Sequence, residues 1–471
     1  RPYQQSLIQK IFQHWANGRK RVLLQSGTGT GKTVMFNHIV SLAEKKGKRV
    51  LVIADRRELI MQAWQRLWDA HGIHAGIIMS GQPHSYQLPV QVASIQTLNR
   101  RNFPPDIDLV IIDECRASVS PSYAPIFEFY KDSHFLGVDA TPVRTSGMGF
   151  DHLYNELVVG PSIKEMEAAN ALVPAKFYIN PINQSSLDKV KITAGDYNEK
   201  ELAKLMSDDR VTADLVASKL KWAKGLKTIV FAVNIEHSKS VIAQYVKAGI
   251  SAAHVDGEMS IEDRARIFAN FKSGRTEVLC NVGIATYGFD EPTLQVVQLA
   301  RPTKSLALYL QMIGRGTRPC KEIAKEQYIL LDHANCIMDH GLPNADRKWS
   351  LKPRCKASKK AAPKQFRLRG DGIDKVVSAR DFPAEMEGIT LEEVDEATVK
   401  FWSNCRAFDK IHEQVVRRSG MPIVAYFRYV KQHREACGIE ELIYIGKTLG
   451  FKPGWAYYKH KELTEQRRQT A

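Results

Sequence analysis

The sequence predicts an α/β protein: two tandem parallel-sheet domains followed by a small, mainly helical one. Three observations predict it. A glycine-rich stretch, SGTGTGKT (Ser26–Thr33), stands between the apolar run VLLQ and the helically spaced VMFNHIVSLAEKK. From there to about residue 142, short apolar runs alternate with helical patterns, as in a parallel sheet with crossover helices. The alternation then restarts at Lys227 without a second glycine-rich turn.

The elements follow in order. Leu7, Ile8, Ile11, Phe12 and Trp15 recur at helical spacing, and Gly18 ends that helix. KRVLVIAD (Lys48–Asp55) is a strand, followed by a helix carrying Leu59, Ile60, Ala63, Trp64 and Leu67 on one face. HAGIIMS (His74–Ser80), VQVASIQTL (Val90–Leu98), DLVIIDECRA (Asp108–Ala117) and HFLGVDATP (His134–Pro142) are further strands. A more polar segment, Ile163 to Lys224, joins the halves. In the second half KTIVFAVN, AAHVDG, TEVLCNVGIA, VVQLARP and YILLDHA read as strands, with helices through Tyr245, from Ile261 to Phe271, and along Leu306–Ile313. Pro353 to Arg369 holds seven Lys/Arg and no acid, the composition of a flexible basic linker. Beyond it Trp402, Phe408, Tyr426, Phe427, Tyr444, Trp455 and Tyr457 punctuate a mainly helical pattern. The expected domains are residues 1–162, 163–345, a linker at 346–370 and a helical accessory domain at 371–471.

A chain of 471 residues has room for several cores. Its net charge of +16 points to a polyanionic partner, nucleic acid before membrane. The seven scattered cysteines form no C-x-x-C pair, which argues against a disulfide framework and for a reducing, cytoplasmic compartment. His333, Cys336, His340 and Cys355 match no usual zinc spacing. No apolar run reaches membrane-spanning length and no signal peptide is evident.

Strand, glycine-rich turn and helix start form the setting of a phosphate-binding loop. Glycines let the backbone approach an anion, and the N–H groups of the helix start point at it. Lys32 has the reach for β- and γ-phosphates, and the Thr33 hydroxyl suits Mg²⁺. Asp113 and Glu114 end the apolar strand LVII, where parallel sheets place their ligands. One acid there serves Mg²⁺ and the other orients an attacking water. In QMIGRGTR (Gln311–Arg318), Arg315 and Arg318 stand three apart as candidate arginine fingers.

In this order the motifs resemble the two-domain RecA-like motor of superfamily 2 helicases. RPYQ resembles the adenine-recognising motif, SGTGTGKT motif I, and IADRRELIMQ motif Ia. ASIQTL is similar to the next strand-contacting motif, DECR to motif II and DATP to motif III. FAVNIEHS, NVGIATYGFD and QMIGRGTR resemble motifs IV, V and VI. Within the superfamily the likeness is to RadD-like DEAD/DEAH-box helicases, through RPYQQ, the DEC-type motif II, RPT, Q-x-x-GRG-x-R and the tail GFKPGWAYYKH. The cysteine-rich zinc region common in that group is missing here.

The resemblance implies an ATP- and Mg²⁺-dependent DNA helicase or translocase, a monomeric motor with RNA as the alternative strand. It implies a nucleotide site built from Gln4, Gly29, Thr30, Gly31, Lys32, Thr33, Gly288 and Asp290. Thr33 and Asp113 would hold the metal, and Glu114, Gln311, Arg315 and Arg318 would act in hydrolysis. Arg56, Ser94, Gln96, Thr97, Asn234 and Thr286 would contact the nucleic-acid backbone. Read structurally, Thr97 is also a candidate helix N-cap. Two positions depart from the pattern: Arg116 where motif II has His or Asp, and Asp139 where motif III has Ser or Thr. An Arg116–Asp139 pair would restore a link between the two motifs.

Overall fold

The computed structural model describes residues 1–83, 86–144, 147–179, 187, 190–193, 195–283, 291–353, 391–394, 396–419, 425–426, 429–430, 433, 438–451 and 454–470. The chain forms two compact units. The first comprises Arg1–Tyr178, Gln184–Cys336 and Pro343–Ser358; the second comprises Ile179–Asn183, Ile337–Leu342 and Lys359–Ala471.

The first unit contains both α/β domains. In its first sheet, β1 (Arg21–Gln25), β2 (Val50–Ala54), β3 (Gly76–Ile78), β4 (Val90–Ser94), β5 (Leu109–Asp113), β6 (His134–Asp139) and β7 (Glu156–Val159) are parallel, in the order β3-β4-β2-β5-β6-β1-β7. The two-residue period of a strand divides its buried side chains between two layers. Val22, Leu24, Val50 and Val52 face one layer, packed by α1 (Pro2–Ala16), α2 (Lys32–Glu44) and α3 (Arg57–His71). Leu23, Leu51 and Ile53 face the other, packed by Tyr123, Ile126, Phe127 and Tyr154. Leu51 is fully buried, so Leu51→Ala would cost about 2–5 kcal/mol.

The second sheet is built from β8 (Ala175–Ile179), β11 (Thr228–Phe231), β12 (Ala252–Val255), β13 (Val278–Asn281), β14 (Val296–Leu299) and β15 (Tyr328–Asp332), in the order β12-β13-β11-β14-β15-β8. A two-residue hairpin, β9 (Ile192–Thr193) with β10 (Asp196–Tyr197), lies apart from it. The helices Asp209–Trp222 and Ile235–Lys247 cover one face through Leu215, Val216, Val241 and Tyr245.

Several expectations are corrected here. VQVASIQTL is not one strand: it becomes helical at Ile95, because the Ser94 hydroxyl accepts the Thr97 N–H and caps α4 (Ile95–Leu98). Ser94, not Thr97, is therefore the N-cap. The joining segment, which the sequence shows only as more polar, contains β8 and the helices Glu199–Met206 and Asp209–Trp222, and this contradicts no expectation. Strand β7 was not expected; it is a four-residue edge strand whose half-exposed side chains give no clear period. The linker starts later than residue 346. Leu351 packs among Phe150 and Tyr154, and its carbonyl accepts the Phe150 N–H at 2.6 Å, so residues 346–353 lie on the first domain. The basic stretch from residue 354 falls outside the described residues.

In the second unit, the helices Glu396–Ser419, Ile439–Thr448 and Trp455–Thr470 bury Phe408, Tyr429, Leu442, Ile445 and Leu463. Trp455 belongs to this core: its ring lies 5.0 Å from Tyr426 and 4.8 Å from Phe451. Tyr457 and Tyr458 stay exposed, with the Lys459 ammonium over the Tyr458 ring. Among the described residues no helix is long and apolar enough to cross a membrane.

Candidate active site and nucleic-acid interface

The chain leaves β1 into the glycine-rich loop and enters α2 at Lys32. Gly31 takes φ +84° to make that turn, and a Cβ there would meet the Gln4 amide nitrogen at 2.5 Å. A side chain at position 31 is thus excluded twice, by conformation and by space. Ser26, the residue that replaces a glycine of the strict pattern, is fully buried and hydrogen-bonded to the Thr30 hydroxyl at 2.7 Å. Thr30 also donates to the Gly27 carbonyl at 2.7 Å. Its hydroxyl holds the loop together through these two bonds, and Thr30 is not among the residues that line the cavity described next. Gln4 donates to the Thr30 carbonyl at 3.1 Å, joined there by the Tyr3 hydroxyl at 2.6 Å. In this structure, Gln4 braces the backbone of the loop.

Gly29, Gly31, Lys32, Thr33, Asp113, Glu114, Gln311, Arg315 and Arg318 all line one cavity of about 300 Å³. Both α/β domains contribute. The Gln311 amide donates across the cleft to Glu114 Oε2 at 3.2 Å. A Cβ at Gly314 would come within 2.5 Å of Thr28 Cγ2, so glycine permits this close approach of the second domain to the loop.

The two carboxylates are held differently. Asp113 Oδ1 accepts the Glu114 N–H at 3.0 Å. Burial, then the adjacent Glu114 charge, pushes Asp113 up to about 7, with Lys32 opposing. A carboxylate so crowded is one that a cation would relieve. Thr33 and Asp113 offer the oxygen donors that a hard divalent ion takes, beside the lysine expected to hold phosphate, so the donor set fits Mg²⁺. Glu114 adopts φ +50°, the left-handed region unusual for a side chain of its size. Its carboxylate also lies above its ordinary range through burial, opposed chiefly by Arg116. Arg116 donates to Glu114 Oε2 at 2.7 Å.

Arg116 also links motif II to motif III. Its backbone N–H donates to Asp139 Oδ2 at 2.9 Å, while its guanidinium stands 3.8 Å from Asp139 Oδ1. Asp139 is fully buried and accepts the Thr141 N–H at 2.7 Å. The expected Arg–Asp connection is present, but its closest bond is through the backbone, and the guanidinium lies nearer Glu114.

A second cavity, about 270 Å³, opens at the carboxyl ends of β2 and β4. It is lined by Ser94, Gln96 and Thr97, together with Arg57 and Arg100, which the motif reading did not single out. Arg56 instead donates across the domains to the Gly283 carbonyl at 3.4 Å. Asn234 is not among the lining residues. Its amide oxygen accepts the His237 N–H at 2.9 Å and caps the helix Ile235–Lys247. Thr286, Gly288 and Asp290 lie outside the described residues.

Motif reading also missed Leu59, Gln62 and Arg66 of α3, which line the first cavity. Their spacing of three and four was the available signal, obscured because the same helix carries the core stripe Ile60, Ala63 and Leu67.

A phosphate-binding loop, strand-end carboxylates and arginines from a second parallel-sheet domain around one cavity define a two-domain P-loop nucleotide hydrolase. The comparisons make this specific. Residues 1–144 match the family described as "Type III restriction enzyme, res subunit", and residues 211–320 match "Helicase conserved C-terminal domain". A 51.5 kDa protein of a Lactococcus phage (isolate 7-9) is 32% identical over 331 residues, covering 69% of this chain and 68% of that protein. A Saccharomyces cerevisiae protein carrying a helicase name, IRC3, is 33% identical over 342 residues, covering 68% of this chain and 49% of that protein. The chain thus spans about half the length of that yeast relative. A solved fragment named for the HsdR subunit of a type I restriction enzyme from Vibrio vulnificus YJ016 shares the fold, with a TM-score of 0.58 at 24% identity over 73% of this chain and 66% of that one. The chain belongs to the superfamily 2 helicases and is a nucleic-acid-dependent ATPase.

Proposed function

We propose that this chain couples ATP hydrolysis between its two α/β domains to movement along DNA. The observation that carries the reading is the single cavity in which Lys32, Thr33, Asp113 and Glu114 of one domain face Gln311, Arg315 and Arg318 of the other. Lys32 and the backbone N–H groups at the start of α2 hold the phosphates. Thr33 and Asp113 hold Mg²⁺, which supplies charge neutralisation to the transferring phosphoryl group when bound. Glu114, pinned by Arg116 and Gln311, positions the attacking water. Arg315 and Arg318 reach the phosphoryl group only when the domains are together, so hydrolysis follows domain closure.

Ser94, Gln96, Thr97, Arg57 and Arg100 form the track for a strand's phosphates, which gives affinity without sequence preference. The net charge of +16 favours such a polyanion. Likeness in sequence to restriction-enzyme subunits favours DNA over RNA. The exposed Tyr457 and Tyr458 beside Lys459 suit stacking on unpaired bases of single-stranded or branched DNA. A cytoplasmic role in repair, recombination or replication, and RadD-like affinity within the superfamily, are the finer readings; the latter rests on the motif likeness.

The test is ATPase rate against single-stranded DNA, duplex, forks and RNA. Greatest stimulation by single-stranded or forked DNA is expected, and stimulation by RNA alone would overturn the DNA reading. A second reading, a clamp that binds without unwinding, is favoured by Arg116 on the Glu114 carboxylate. DNA-stimulated ATPase with no strand displacement and no translocation would select it.

A further inference from the structure

The loop after β14 is held by a carboxylate from outside the sheet. β14 runs into Arg301-Pro302-Thr303, and Ser305 caps the helix Leu306–Ile313 by accepting the Leu308 N–H at 3.3 Å. The Ser305 N–H donates to the Thr303 hydroxyl oxygen at 3.0 Å, and that hydroxyl donates to Asp196 Oδ2 at 2.6 Å. Asp196 Oδ1 accepts the Lys304 N–H at 2.7 Å and the Tyr197 N–H at 2.9 Å. Asp196 opens β10, in the hairpin that stands apart from the two large sheets. Tyr197 of that hairpin is buried with Leu202, Met206 and Val233, while Ile192, opposite it in the ladder, stays exposed. The Lys304 ammonium lies over the Tyr197 ring at 4.7 Å, a further tie between hairpin and loop. The helix has no acid in its own first turn. Asp196, 107 positions before Thr303, supplies a negative charge at that end, where the helix dipole favours one.

We propose that Asp196 is a positioning residue for hydrolysis: through Thr303 and Ser305 it sets the helix whose far end carries Gln311, and with it the turn that bears Arg315. The inference rests on the reading of that cavity as the ATPase site and deepens it. Gln311 stands six residues beyond Ser305, about 9 Å along the helix. A small tilt at the cap therefore becomes a displacement of ångström scale where the Gln311 amide meets Glu114 Oε2. Misplacement on that scale can cost about 10²-fold in rate. The bond that prevents it is a short one from a hydroxyl to a carboxylate, a strong kind. Thr303 is 1% exposed, so water does not compete for it. The first domain fixes its working residues with a glycine-rich loop folded on itself. The second has no such loop, and a carboxylate from the joining segment takes that place.

The experiment uses the full chain with saturating single-stranded DNA. Single-turnover hydrolysis of ATP and the affinity of a fluorescent non-hydrolysable ATP analogue are read separately. Asp196→Ala and Thr303→Val should slow hydrolysis roughly 10- to 100-fold and leave analogue affinity near wild type. Thr303→Ser keeps the hydroxyl and should recover most of the rate. A packing role predicts the reverse order, since valine keeps the shape of threonine and serine does not. Asp196→Ala combined with Thr303→Val should be no slower than the slower single variant, because both break one relay. Wild-type hydrolysis by Asp196→Ala or by Thr303→Val would overturn the assignment. So would a Thr303→Ser protein slower than Thr303→Val, or analogue affinity that falls in step with rate. If Asp196→Ala does not fold, the valine and serine variants at Thr303 decide alone. Arg315→Ala tells the two levels apart. Normal hydrolysis by Arg315→Ala sinks the reading of the cavity itself, whereas slow hydrolysis by Arg315→Ala beside full-rate relay variants removes only the role of Asp196.

Discussion

The two α/β domains share a strand order. Reading β3-β4-β2-β5-β6-β1 against β12-β13-β11-β14-β15-β8 puts β8 where β1 stands and β14 where β5 stands. Their carboxyl ends are nonetheless furnished differently. In the first domain β1 leads into the glycine-rich loop and β5 ends in Asp113 and Glu114. In the second, β14 runs into Arg301-Pro302-Thr303, and the working residues come from the helix Leu306–Ile313 and the turn after it. On the proposed reading, one domain supplies oriented N–H groups, a lysine and the oxygens that would hold Mg²⁺; the other supplies guanidinium groups. Neither set is sufficient, because phosphoryl transfer needs its developing charge met from both sides. Two copies of one architecture thus become a machine by dividing the site between them.

Removing the first domain's share should have the largest effect. Lys32→Ala is expected to abolish ATP turnover while leaving nucleotide-free DNA binding, measured by steady-state ATPase and by anisotropy of a labelled oligonucleotide. Normal turnover in that variant would break the division of labour at its centre. Removing the second domain's share tests the other half. Arg315→Ala should keep nucleotide affinity near wild type yet slow single-turnover hydrolysis by roughly 10³–10⁵-fold, the worth of an arginine finger. Loss of affinity without loss of rate would make Arg315 a binding residue only.

Arg116 offers a smaller and more local test. It holds the Glu114 carboxylate at 2.7 Å and opposes the upward shift that burial imposes. Without it, Glu114 should titrate at higher pH and position water less well. Arg116→Ala is expected to slow hydrolysis by about 10²-fold, the lower end for a positioned base, and to move the acid limb of the pH–rate profile upward. The sign follows from the carboxylate: its active form is the anion, so a raised pKa removes activity from the acid side first. An unchanged pH profile would leave Arg116 to its other partner, Asp139.

Much of this division was legible in the chain, for physical reasons. Continuous apolar runs mark strands buried on both faces, and the loop's glycines and lysine are fixed by the anion they serve. What stayed hidden was tertiary. That the Thr30 hydroxyl bonds within the loop, to Ser26 and to the Gly27 carbonyl, depends on how the loop folds back on itself. That the Asn234 side chain caps a helix depends on where β11 ends and that helix begins. Residues 346–353 look like linker because nothing local says that Leu351 will find Phe150. Arg66 was invisible for a related reason: a helix with one apolar face gives no hint of which polar side meets another domain.

The finest test of the comparison concerns how the halves meet outside the nucleotide site. Glu58, on the first turn of α3, accepts from Arg264 of the helix Ile261–Lys272 at 2.9 Å. Glu58 keeps 41% of its side chain exposed against 16% for Arg264, so solvent screens the pair and its contribution to stability should be small, about 0.5–1 kcal/mol at most. Its position gives it another consequence. It spans the two domains at the end of α3 that reaches the second cavity, beside the Arg56 bond to the Gly283 carbonyl. Breaking it should therefore weaken communication more than folding. Glu58→Ala and Arg264→Ala are each expected to leave the melting temperature nearly unchanged, preserve basal ATPase, and reduce the stimulation of ATPase by single-stranded DNA a few-fold. A double-mutant cycle run on that stimulation should show the two losses overlapping, since both remove the same contact. Strictly additive losses would mean that the pair is only an incidental surface contact, and that the domains communicate through the nucleotide cavity alone.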